Sequence, residues 1–266
     1  MNRRISAAVI PRRAVSLLVL LAAWQVASMS GLLSPRLLAA PSTIFATAWE
    51  MSISGVLPHH LLVSLTRVLA GAAIGLSLGV ALALVAGLSR AGEDVVDPPL
   101  QALRTLPFLG LVPLFILWFG IGEAPKLALV AMGALFPLYL NLFAGIRGVA
   151  TGLVDAGNAL GLSRVQLIRL VILPAALPAA LVGLRQSMGM AWLSLVVGEQ
   201  VNAQSGIGFL ITDARDFLRT DVIVVGLLVY ALLGLASDAM VRVLEGRVLR
   251  WRFCYADGGV PDSRPH

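Results

Sequence analysis

The chain has 266 residues, 58% of them hydrophobic and only 13% charged, with a mean hydropathy of +0.90. A soluble domain carries roughly 25% charged residues, so the composition excludes a water-soluble globular protein and indicates an integral membrane protein. The formal charge of +6 comes almost wholly from arginine, Lys126 being the only lysine. These basic residues cluster at the ends of apolar stretches, which suits lipid headgroups rather than nucleic acid. Cys254 is the single cysteine, which excludes an internal disulfide and makes a thiolate metal cluster implausible. His59, His60 and His266 offer no pair at ligand spacing on one helix face, so no metal site is expected.

Six apolar spans are expected, at about 14–33, 62–88, 100–120, 126–146, 174–198 and 222–243. Their length, about 20 residues each, selects transmembrane helices over the ten-residue alternation of barrel strands. The expected fold is therefore an all-α polytopic bundle. Its divisions are an N-terminal segment 1–13, a transmembrane domain 14–246 containing the loop 147–173, and a C-terminal tail 247–266. The first span follows Arg3, Arg4, Arg12 and Arg13, as the hydrophobic region of a signal peptide also does. Its run from Ala14 to Leu33 is long for that, and it reads as a retained helix.

The segment 34–61 contains Pro41 and Ser42, then Ile44, Phe45, Ala48, Trp49, Met51 and Ile53. It predicts a short amphipathic helix capped by Ser42 and lying at the membrane surface. The second span carries Gly71, Gly75, Gly79, Ala83 and Gly87 at four-residue intervals. Such a ridge of small residues admits a neighbouring backbone closely, so packing is favoured over pore lining. Pro107, Pro113 and Pro137 free backbone carbonyls in the third and fourth spans and are placed to kink them. Trp118 closes the third span as an interfacial aromatic.

Ionisable residues within spans are few. Arg67, Arg104 and Arg242 lie within a turn or two of an interface, where snorkelling suffices. Arg185 is deeper, and either faces a solute path or pairs with a neighbouring helix. With Asn141, Gln186, Ser187 and Ser194 it makes up the candidate path-lining set.

Outside the spans, the N-terminus, 89–99, 147–173 and 244–266 hold 12 Arg and Lys residues, against 4 in the opposite loops. The excess places both termini and the 147–173 loop in the cytoplasm. That loop is the longest polar interruption in the second half of the chain. A short helix is expected over about 152–160, with Leu153, Ala156, Gly157 and Leu160 on one face and Asp155 on another. Gly161 then supplies a left-handed stop. Ser163 and Gln166 form a capping box, with Leu162 and Leu167 placed to staple the turn. Pro174 marks the passage into the next span. By spacing alone the loop is either a solvated helix or one that inserts into a partner's groove.

Catalytic chemistry is not visible. A phosphate-binding P-loop needs Gly-x-x-x-x-Gly-Lys-Ser/Thr, and the sole lysine is followed by Leu127. No Gly-x-Ser-x-Gly, His-Glu-x-x-His or spaced carboxylate pair appears in a polar context. The chain is not expected to be an enzyme or to carry a cofactor, and an intramembrane enzyme lacks a nucleophile–base pair. An ion-coupled secondary transporter usually carries buried acids, and no Asp or Glu falls mid-span here.

Asp155-Ala156-Gly157, then Gly161, then Ile172-Leu173-Pro174 resembles the "EAA" loop of permease subunits of ATP-binding-cassette importers, with Asp for Glu and Gly for the second Ala. Pro41-Ser42, Ser64 to Gly71, Trp118 to Glu123, Ser205 to Gly208 and Ala214 to Phe217 resemble the nitrate, sulfonate and taurine group of those permeases. Thr220 to Gly234 and Leu249-Arg250-Trp251 resemble its aliphatic sulfonate branch. The resemblance implies a homodimer of six-helix subunits in a bacterial plasma (inner) membrane. It also implies two cytoplasmic ATPase subunits, which carry the hydrolysis, and a periplasmic or extracellular substrate-binding protein. Asp155, Ala156, Gly157, Leu160, Gly161 and Ser163 would then contact the ATPase. The expected solute is an aliphatic sulfonate, with taurine or nitrate as alternatives.

Overall fold

The computed structural model describes residues 6–31, 33–34 and 37–249, and all their regular structure is helical. Helices satisfy every backbone polar group within the segment, which hydrocarbon demands. In chain order they are α1 (Ser6–Met29), α2 (Pro41–Ile53), α3 (Val56–Leu88), α4 (Arg90–Arg104), α5 (Phe108–Phe119), α6 (Glu123–Arg147), α7 (Thr151–Ala159) and α8 (Arg164–Leu167). A π turn (Ile168–Ile172) leads into α9 (Leu173–Asn202), followed by α10 (Ile207–Asp216) and α11 (Thr220–Val248).

Four helical segments among the described residues are long and apolar enough to cross a membrane: Val56–Leu88, Glu123–Arg147, Arg164–Val201 and Thr220–Val248. A fifth is counted if α4 and α5 form one broken span, so the expected six are not all present as continuous helices. The span expected at 100–120 is broken rather than continuous. α4 and α5 meet there at a bend of 106°. Pro107, at φ −65° and ψ 121°, is the N-cap residue of α5; it has no N–H to donate and disfavours helix in the residue before it. The 12 residues of α5 extend only about 18 Å, short of a ~30 Å hydrocarbon core. α1 ends at Met29 rather than 33, and its described apolar part is Leu18–Met29.

The chain divides into two compact units. One comprises 1–65 and 203–231, the other 66–202 and 232–266. In the first, Ile44 and Met51 of α2 pack with Leu57, Ile207, Leu210 and Val222. Ser42 is not the cap of α2. Ala40 holds that position without a side-chain bond and Pro41 takes the first turn, while Gln25 of α1 engages Ser42 through both its hydroxyl (3.0 Å) and its N–H (3.1 Å). The start of α10 is capped from α3. The Gly206 N–H donates to His60 Nδ1 at 3.0 Å and the Ile207 N–H to Ser64 Oγ at 2.8 Å, satisfying amides that a helix start leaves open.

The second unit is built on α6 and α9, which pack along their lengths through small residues. A Cβ on Gly145 would stand 2.7 Å from that of Ala179, and one on Gly183 2.9 Å from that of Asn141. α3 applies its glycine ridge to α6 in the same way, as expected. Gly75 lies against the Ala131 carbonyl with no room for a side chain, Gly71 faces Val130, and Ala83 is fully buried with Tyr139 and Ile146.

Candidate functional site

The polar loop is built almost entirely from local rules. α7 ends in a Schellman motif: the Leu162 N–H reaches the Gly157 carbonyl at 3.1 Å and the Gly161 N–H the Asn158 carbonyl at 2.9 Å. Gly161 has φ +74°, the left-handed conformation that a Cβ penalises. Ser163 then opens α8 with a reciprocal capping box, its N–H donating to Gln166 Oε1 at 2.8 Å and its Oγ accepting the Gln166 N–H at 3.4 Å. Leu162 and Leu167 close over Gly157, which is buried, so the two short helices share a miniature core.

The opposite face of the loop is open. Leu153, Asp155, Ala156 and Leu160 are exposed, Leu160 at 81%, and Val165 continues the apolar surface. Among the described residues Asp155 makes no ion pair. The exit is continuous helix, running through Pro174 into α9. The π turn places the Leu173 N–H on the Ile168 carbonyl, five residues back. Widening the helix here accommodates a proline, which has no N–H and crowds the carbonyl four residues before it.

The entry is clamped. Arg147, last residue of α6, donates from Nη2 to the carbonyls of Ala86 and Ser89 at 3.2 Å each, and it pairs with Glu93 of α4. Tyr139 on α6 donates to Asp97 Oδ1 at 2.9 Å and stacks on Phe143. Two bonds thus fix α4 to α6 beside the base of the loop. Sequence reasoning did not select Glu93, Asp97 or Tyr139. The available signal was Glu93 and Asp97 spaced four apart on an otherwise amphipathic segment.

The candidate path residues separate into two kinds. Asn141 Nδ2 donates to Gln186 Oε1 at 3.0 Å, and both line a cavity of about 310 Å³ with Arg104, Phe136 and Met190. The other three are engaged in packing. Ser187 is fully buried with its hydroxyl on the Ala134 carbonyl, and Ser194 bonds the Met190 carbonyl on its own helix. Arg185 turns to α11, where it meets Glu245 at 2.5 Å and Asp238 at 3.3 Å.

Arg67 does not snorkel. It is only 5% exposed, with Nη1 on Glu199 Oε1 at 2.7 Å and Nε and Nη2 on the two Glu123 oxygens at 2.6 and 2.7 Å. Lys126, 4% exposed, adds a bond to Glu123 Oε1 at 3.0 Å. Burial without partners would be prohibitive for these cations, so α3 meets the start of α6 and the end of α9 in one ionic cluster.

Comparison with known proteins places this architecture. The chain is 48% identical over 236 residues to the "Putative aliphatic sulfonates transport permease protein SsuC" of Escherichia coli (strain K12), covering 89% of this chain and 90% of that protein. It is 45% identical over 237 residues to the like-named protein of Bacillus subtilis (strain 168), covering 89% and 86%. The "Taurine transport system permease protein TauC" of Escherichia coli (strain K12) is 33% identical, with 89% and 88% covered. Among solved structures, an inward-facing MetNI methionine ABC transporter matches with a TM-score of 0.58 at 20% identity, over 72% of this chain and 97% of that one. An amino acid ABC transporter crystallised with histidines gives 0.63 at 19%, over 74% and 96%. These two likenesses are of fold. The family model described as "Binding-protein-dependent transport system inner membrane component" matches residues 71–250, and the chain belongs to that family.

Proposed function

We propose that this chain is the membrane-spanning subunit of an ATP-driven importer of aliphatic sulfonates. Family membership makes it a non-catalytic permease subunit of an inner-membrane transport system that works with a binding protein. The observation that carries the solute is the identity of 48% and 45%, over nearly the whole chain, to two permeases named for aliphatic sulfonates, against 33% for one named for taurine. Two copies of the chain assemble with two cytoplasmic ATPases and an external binding protein. Both termini and the 147–173 loop face the cytoplasm, with 1–13 and 247–266 flanking the membrane domain 14–246.

In this reading α7 and α8 form the lever. Asp155, Ala156 and Leu160 present the exposed face to a groove on the ATPase, while Gly157, Gly161 and Ser163 hold the two short helices rigid. A rigid element transmits the approach and separation of the ATPases to α6 and α9, the helices it joins. Asn141 and Gln186 supply polar groups to the solute path; Arg185, Ser187 and Ser194 support it through their packing. The test is growth of a strain lacking this gene on single sulfur sources, with nitrate uptake followed in parallel. Loss of growth on ethanesulfonate and longer alkanesulfonates, with sulfate still usable, is expected. Growth lost on taurine alone favours the second reading, an aminosulfonate importer, which the taurine-named relative supports. Unchanged growth on all of them with nitrate uptake lost refutes both.

A further inference from the structure

The four charges of the α3–α6–α9 cluster are not equivalent. Arg67, Lys126 and Glu199 are buried, whereas the Glu123 side chain is 56% exposed. Buried ion pairs of this kind rarely outperform apolar packing in stability, so stability alone does not account for the cluster. We propose that Arg67 and Lys126 form an anion-receiving site in which the Glu123 carboxylate holds the place taken by the sulfonate group of an incoming solute. The proposal rests on the sulfonate reading and on the outward position that the charge asymmetry gives this end of α3 and α6.

The geometry supports exchange. Glu123 receives the Nε/Nη2 fork of Arg67 and the Lys126 ammonium, three charge-assisted bonds on one exposed carboxylate. A sulfonate presents three oxygens sharing one negative charge, enough acceptors for the same fork and ammonium. Glu199 keeps Nη1 of Arg67, so the guanidinium stays aimed while Glu123 departs. The vacated site carries two cations and one anion, a net +1 that a monoanion neutralises. Glu123 is the first residue of α6, and the turn before it holds Gly120 at φ +74°, so the carboxylate swings without unwinding a helix. A tethered competitor weakens net affinity, which keeps the solute from stalling.

The deciding measurement is equilibrium binding of radiolabelled ethanesulfonate to the complete transporter in nanodiscs, without its binding protein. Glu123→Gln removes the competing charge, and binding about tenfold tighter than wild type is expected. Adding Lys126→Gln abolishes that gain, and Lys126→Arg in its place retains it. Glu123→Asp, which keeps the charge on a shorter arm, serves if the amide variant fails to assemble and gives a smaller gain in the same direction. No gain in either variant, while the wild type imports ethanesulfonate, overturns the site and leaves the substrate reading standing. A gain for nitrate but none for any sulfonate keeps the anion site and overturns the substrate.

Discussion

Gly157 lies directly beneath Leu167: a Cβ built on the glycine would stand 2.6 Å from the leucine Cδ1. The contact is with the end of a flexible side chain, so Gly157→Ala is tolerated once Leu167 rotates, and a bulkier residue separates α7 from α8. Gly161 is stricter. Its φ of +74° makes Gly161→Val cost roughly 1–2 kcal/mol locally, while Asn, which tolerates this conformation, costs less. Transport and substrate-stimulated ATP hydrolysis should fall in the order Asn, then Val, with the protein still inserted. Asp155→Lys, which inverts an exposed charge, should lower both without disturbing the loop. Wild-type rates in Gly161→Val and Asp155→Lys together would remove the docking role of this loop.

Topology gives a second expectation. Ser54 and Asp213 line one cavity of about 320 Å³ in the first unit, so they must be reached from the same side. Single cysteines at 54 and 213, in a Cys254→Ala background, should react with an impermeant thiol reagent in intact cells. A cysteine at 158 should react only after the membrane is opened. Labelling of 158 from outside reverses the assigned orientation.

How much of this was legible in the sequence depended on range. The α7–α8 turn was readable because every determinant lies within the eleven residues 157–167: glycine at the stop, serine and glutamine at the cap, two leucines over the glycine. The ridge from Gly71 to Gly87 was readable as packing because its period alone creates a groove. The Arg67 cluster was not, because its acids arrive from positions 123 and 199 and no local pattern links them. Ser42 was misassigned because Pro41 takes the first turn and a glutamine from another helix takes the serine. A kink at Pro107 was expected, but a bend of 106° was not, because hydropathy averages over it and draws one continuous span.

Removing one partner of the buried Arg67–Glu199 pair leaves a charge without compensation. Glu199→Leu should destabilise the folded protein by about 3–5 kcal/mol, and Arg67→Leu by a similar amount. The double variant should be less harmful than the sum, since neither charge is then stranded, although Glu123 still loses its fork. Heating the purified permease and following the folded fraction by size exclusion measures the cycle. Strict additivity would show that the two residues do not act as a pair.

Arg185 offers the sharpest contrast between a packing role and a solute-facing one. It bridges α9 to α11 through Glu245 at 2.5 Å and Asp238 at 3.3 Å, and Arg242 also holds Asp238, at 2.6 Å. Arg185→Glu places three acids together and should lower the amount of folded permease in the membrane. Glu245→Arg alone should do so too, by setting two arginines face to face. If the role is structural, the swapped pair Arg185→Glu with Glu245→Arg regains abundance, and transport per folded molecule returns with it. A residue that contacted the anion would behave otherwise: the swap would restore abundance while KM for the sulfonate stayed high, because a glutamate at 185 repels it. Transport normalised to folded protein separates the two, and a persistent rise in KM in the swapped pair returns Arg185 to the solute path.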